Sequence, residues 1–197
     1  MIRLITIYLL IILKPIALFG ISGGDSLIME GARAFYNYEF DRSIKILNIA
    51  RDKYPTHPGV HFIWASAKYY ISQARDETIV TYDTLNNSLD HIDPIYEKLV
   101  ADFPNNHGYK LYFGSSKGLR ARSSLGKKEW ISVLMQSYTG FKIIREVASK
   151  NPEMIDAQLP IGIVEYYASI SNPIIKFLVN IYGLDASKDS ALEKISN

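Results

Sequence analysis

Three prolines, each closing one amphipathic segment and followed by another, constrain this chain more than any other feature. Asp52-Lys53-Tyr54-Pro55, Ala101-Asp102-Phe103-Pro104 and Ser149-Lys150-Asn151-Pro152 are spaced 49 and 48 residues apart. Proline lacks an N–H and its ring collides with the preceding turn, so each marks a break between helices. Ten residues after each proline stands a small residue: Ala65, Gly114 and Gly162. A small side chain there lets a facing helix approach closely, while the bulky neighbours Phe62 and Trp64, Leu111 and Phe113, Leu159 and Ile161 fill the space around it. Three such matches in phase make a repeat.

The segments between the prolines carry helical periodicity, and none alternates apolar with polar residues as a half-buried strand would. Leu27, Ile28, Ala32, Phe35 and Tyr36 form one helical stripe, and Ile44, Leu47, Ile49, Ala50 and Tyr54 a second that ends at Pro55. Similar patterns predict helices near 58–75, 79–103, 106–126, 128–150, 153–171, 174–182 and 187–196, with Asp93-Pro94 kinking or restarting the second long one. With 48% hydrophobic residues over 197 positions the chain can bury an ordinary core, and the expected fold class is all-α, an α-α superhelix of antiparallel hairpins.

The first 22 residues are set apart from that fold. Arg3 supplies a positive charge, Leu4 to Leu13 is a ten-residue apolar core, and Gly20-Ile21-Ser22 offers small residues before a cleavage at Gly23. This pattern predicts a signal peptide at 1–22, a repeat domain at 23–197, and export to a periplasmic or other extracytoplasmic space. The competing reading is an uncleaved anchor over 4–21, with membrane association through it; Lys14 and Pro15 in its middle weigh against that, since one mid-membrane charge costs about 3 kcal/mol. Cleavage would remove two cations and no acid, leaving a domain with zero formal charge and no electrostatic pull toward nucleic acid.

At the first hairpin the chain resembles the tetratricopeptide-repeat family, whose 34-residue unit needs small residues at positions 8, 20 and 27 and proline at 32. With Pro55 at 32, Gly31 falls at 8, Ser43 at 20, Leu47 at 24 and Ala50 at 27, whereas Leu27 replaces the usual tryptophan and Ala34 the aromatic at 11. The later units are longer, and Leu99 and Val147 stand where alanine is usual. The stretch from Tyr166-Tyr167 through Pro173 to Asp189 also resembles a segment of larger members, both bacterial exported ones and eukaryotic ones of the inclusion-body-clearance type. The resemblance implies a solenoid whose first helices line a concave face. The family's groove positions fall on Phe35-Tyr36, Tyr69-Tyr70, Gly118-Leu119 and Tyr166-Tyr167. Neighbouring residues lie about 100° apart on a helix, so one ring of each doublet packs and the other faces the groove; the alternative is that both pack between repeats.

Lys110, Lys117 and Arg120 share a helix face in a stretch free of acids. Their ordinary role is a solvated face, and the sharper reading is a carboxylate or phosphate subsite beside Gly118. The candidate ligand-binding residues are therefore Phe35, Tyr36, Tyr69, Tyr70, Lys117, Arg120, Tyr166 and Tyr167, and the expected partner is a protein or peptide. The helix at 174–182 is too short to span a bilayer and is expected to cap the solenoid.

Catalytic constellations are poor. The absence of cysteine removes disulfides, thiol catalysis, lipid-modified cysteine and Cys-containing zinc sites. His57 and His61 are four apart, but Pro58 lies between them and no third ligand follows, so they read as capping or surface histidines. Asp93 before Pro94 reads as a helix N-cap. Gly20 to Gly24 lacks phosphate-loop spacing, and Ser115-Ser116 and Ser123-Ser124 lack a nucleophile-elbow context. No enzyme activity, metal or cofactor is expected.

Overall fold

The computed structural model describes residues 24–170 and 187–196, without the side chains of Tyr167 and Ala168. The expected signal peptide at 1–22 and the capping helix at 174–182 lie outside the described residues. Within them the chain is all-α, built of eight helices and no strand. Contacts divide it into two compact units, one ending at His57 and the other beginning at Pro58.

The first unit is a single hairpin of α1 (Asp25–Tyr36) and α2 (Phe40–Lys53). Gly31 on α1 is buried, and a Cβ there would sit 2.8 Å from Leu47 Cδ2 on α2, so only hydrogen fits. Ser43 is fully buried and its hydroxyl donates to the Gly31 carbonyl at 2.8 Å, while Leu47 and Ala50 are also sealed from solvent. Gly31, Ser43 and Leu47 thus meet at one seam, and Ala50, the fourth position that the resemblance singles out, is buried as well. His57 is no surface residue, being 11% exposed at the side chain with its Nε2 2.6 Å from Asp25 Oδ1.

The α1–α2 turn closes with Glu39 N–H donating to the Ala34 carbonyl and Tyr38 N–H to that of Phe35 while Tyr38 takes a φ of 62°. That is a Schellman closure with a side chain where glycine is usual. The same closure recurs in the second unit, where Glu129 N–H donates to Ser124 and Lys128 takes a φ of 61°. Lys128→Gly is accordingly expected to stabilise the protein by about 0.5–1 kcal/mol, because glycine adopts the left-handed region without the Cβ penalty. A raised melting temperature in calorimetry checks it.

The second unit runs α3 (Val60–Arg75), α4 (Thr78–Asp102), α5 (His107–Gly126), α6 (Trp130–Lys150), α7 (Ile155–Ser169) and α8 (Lys188–Ser196). From α3 to α8 each helix packs on the next. The connections up to α7 are short, which makes those neighbours antiparallel. Pro94 does not restart the second long helix: α4 is continuous through it, held by the buried Leu85, Leu89, Ile92 and Tyr96 on one face. Tyr96 also supplies what the start of α3 lacks. Gly59 has no side chain to cap that helix, and the Tyr96 hydroxyl accepts from Phe62 N–H at 3.0 Å while donating to the Pro58 carbonyl at 2.7 Å. Tyr96→Phe leaves both backbone groups unsatisfied beside a fully buried ring. It is expected to cost about 1–3 kcal/mol in urea unfolding. His61, expected to be capping or superficial, is 3% exposed and stands edge-on to the Tyr96 ring.

Two of the three small residues face helices at very close range. A Cβ on Gly114 would lie 2.9 Å from Ile144 Cγ1 and 3.0 Å from the Gly140 carbonyl, and one on Gly162 would lie 3.0 Å from the Ala191 carbonyl of α8. Leu111, Ile144, Val147, Ala148, Ala157 and Ile161 build the core where α5, α6 and α7 meet.

Candidate interaction surface

In the two aromatic doublets whose side chains are both described, one ring is more buried than its neighbour. Phe35 is half-buried against Phe40, ring centroids 5.9 Å apart, while Tyr36 is 77% exposed. In the second unit Tyr69 is buried, its hydroxyl oxygen accepting from Arg122 Nε at 3.1 Å, and Tyr70 is half-exposed. The Tyr69 hydrogen bond holds the Arg122 guanidinium above its ordinary pKa. Tyr69 therefore packs between helices, and Tyr70 is the more exposed ring of the two on α3. Tyr166 is half-buried, and the side chain of Tyr167 lies outside the described residues.

Lys117 and Arg120 come together, but on carboxylates of their own chain. Both reach Asp93 Oδ2, Lys117 Nζ at 3.3 Å and Arg120 Nη2 at 3.0 Å, and Arg120 also pairs with Asp90 at 2.7 Å. Lys117 adds Glu97 at 3.6 Å and lies over the Phe113 ring. Asp93 is thus not an N-cap. It sits mid-helix, 11% exposed at the side chain, as the shared partner of two cations that are 14% and 20% exposed. The charges of the pair are already compensated, and a ligand carboxylate would have to displace Asp93 to use them. Beside them Gly118 faces open space, with nothing within 4 Å of where a Cβ would stand.

The surface that stands out lies on α6. Trp130, Ile131, Leu134, Met135 and Tyr138 are between 50% and 76% exposed and recur at helical spacing. Together they make a stripe on the side away from Gly140, Ile144 and Val147, which face α5 and the core. No charged residue occurs from Trp130 to Phe141. The α7 side chains in the shared core pack with Phe141, Ile144, Val147 and Ala148 in the C-terminal half of α6, whereas Trp130, Ile131, Leu134 and Met135 in the N-terminal half stay more than half exposed. Ordinary monomers rarely leave so many large apolar side chains contiguous, and such patches mark interaction sites. The sequence signal is there in retrospect: a helix whose apolar residues occupy two faces has one more face than its core needs.

Among the described residues no group of three or more His, Asp or Glu is gathered as a metal set, and no helix is long and apolar enough to cross a membrane. Compared with family models, curated proteins and solved structures, the chain matches none of them significantly.

Proposed function

We propose that this chain is a non-catalytic, exported scaffold of tetratricopeptide-like hairpins whose work is to bind protein. The observation that carries the reading is the charge-free apolar stripe of Trp130, Ile131, Leu134, Met135 and Tyr138 on the outside of α6. A surface of that composition suits the apolar face of a helix, which buries large rings and aliphatic chains without leaving a charge unpaired. Tyr36, on the first helix of its hairpin, offers a further exposed ring. The tetratricopeptide likeness is supported by the seam of Gly31, Ser43 and Leu47 and by the buried Ala50. Export is supported by Arg3, the apolar core after it and the small residues before Gly23.

The test is capture by the full chain from an extract of its source cells, compared with Met135→Glu and with the joint replacement Asp93→Leu, Lys117→Met and Arg120→Met. A charge in the stripe is expected to reduce capture of a specific protein at least tenfold, with the triple variant close to the parent. Equal capture by Met135→Glu would remove α6 as the binding face.

A further inference from the structure

We infer that the notch where α3 ends and α4 begins binds a monovalent alkali-metal ion. A cavity of about 70 Å³ opens there, lined by Tyr69, Gln73, Asp76, Thr78, Thr81 and Tyr82. Every one of these side chains carries an oxygen, and none is a cation. Hard cations take oxygen ligands, and the charge among those ligands tunes which ion they suit, so one carboxylate with neutral oxygens around it matches a single positive charge. No second acid lines the cavity to compensate a divalent ion. One water takes up about 30 Å³ of the liquid, which leaves room for an ion with a water beside it. The site does not involve α6 and stands whether or not that helix binds protein.

Asp76 supplies the charge. Among the described residues its carboxylate accepts from the Ser72 hydroxyl at 2.6 Å and pairs with no cation. The C-terminus of α3 favours a positive ion and the N-terminus of α4 opposes it, so the carboxylate decides the sign. The neutral oxygens are as little used. Among the described residues the Gln73 amide and the hydroxyls of Thr78 and Tyr82 make no hydrogen bond, and Thr81 gives its proton to the Glu77 carbonyl at 3.1 Å, which leaves its oxygen as an acceptor. Tyr82 is nevertheless fixed. Its ring lies over the end of α5, where a Cβ on Gly126 would collide with it, and stands 6.4 Å from the Tyr69 ring. The Tyr69 oxygen already accepts from Arg122 Nε at 3.1 Å, so it offers its remaining proton to the water of the ion's shell. Arg122 acts against a cation here, but it does not itself line the cavity.

The test is melting of the full chain in tetramethylammonium chloride, whose cation is too large for the cavity, and in sodium or potassium chloride of the same ionic strength. With the alkali ion at about ten times its dissociation constant the melting temperature should rise by about 3–5 °C. Asp76→Asn should lose that rise, while Asp83→Asn, an acid of α4 outside the cavity, should keep it. Sodium NMR reads binding without reference to stability: the parent should broaden the sodium line, and Asp76→Asn should return it to that of the buffer. Should Asp76→Asn lose its helical circular dichroism, Tyr82→Phe decides instead, because it keeps the ring over Gly126 and removes only the oxygen. It should raise the ion concentration needed for half the effect about fivefold. Equal melting in the three salts, a rise that survives Asp76→Asn, or an unchanged response in Tyr82→Phe overturns the inference. An equal or larger rise with magnesium or calcium chloride at the same ionic strength overturns it as well, and makes the ion divalent.

Discussion

Gly140→Leu is expected to lower the stability of the second unit by about 3 kcal/mol, the upper end of the overpacking range. The reason is backbone rather than side chain. A Cβ at Gly140 would stand 2.6 Å from the Gly114 carbonyl oxygen and 3.2 Å from the Gly118 nitrogen, so α5 and α6 would have to separate along their whole crossing. A flexible side chain could rotate away; a carbonyl in a helix cannot. For a unit of this size the loss corresponds to a melting temperature lower by about 10 °C. Gly118→Ala is the internal control, since its Cβ meets nothing within 4 Å. There the usual helical preference for alanine over glycine should appear as a gain of about 0.5–1 kcal/mol. Two glycines of one crossing are therefore expected to respond with opposite signs, which calorimetry on the two variants would read directly.

Asp93→Ala is expected to cost about 3 kcal/mol, the low end of the range for breaking a buried ion pair. The variant leaves Lys117 and Arg120 with their ammonium and guanidinium groups converging on an empty site, and their remaining partners, Glu97 and Asp90, are 60% and 68% exposed and compensate little. Joint replacement of Asp93, Lys117 and Arg120 by leucine and two methionines should restore most of the loss, because an apolar set needs no pairing in a site that is mostly dry. A triple-mutant cycle by chemical denaturation separates these terms. If the cations instead served chiefly to hold an acidic ligand, Asp93→Ala would leave stability unchanged and strengthen binding of an acidic peptide.

The contrast between what could and could not be read from the chain has a physical pattern. Gly114 and Gly162 were legible because close helix crossings tolerate few residue types and the proline period locates them, whereas Gly31, Ser43, Leu47 and Ala50 were picked out by the resemblance at the first hairpin. Asp93 was not. An Asp-Pro pair looks the same at the start of a helix and inside one, and only the apolar face of Leu89, Ile92 and Tyr96, buried on both sides of the proline, keeps α4 intact. His61 was missed for a related reason: its burial depends on the Tyr96 ring, 35 residues away in the chain. The two cations at 117 and 120 were visible as a cluster, but their partners lie on a different helix, so an occupied ion pair looked like an open one. The stripe on α6 escaped because apolar residues at helical spacing ordinarily mean core, and only the folded chain shows that one of the two apolar faces stays largely exposed.

The most direct test is hydroxyl-radical footprinting of the full chain, first dilute and alone, then with any captured partner. In the dilute chain Trp130, Met135 and Tyr138 should be oxidised readily while Trp64, Tyr69 and Tyr96 are protected, and the first three should become protected as the complex forms. Protection of Trp130, Met135 and Tyr138 already in the dilute isolated chain, or their full oxidation in every complex, would contradict the assignment of α6 as the binding face.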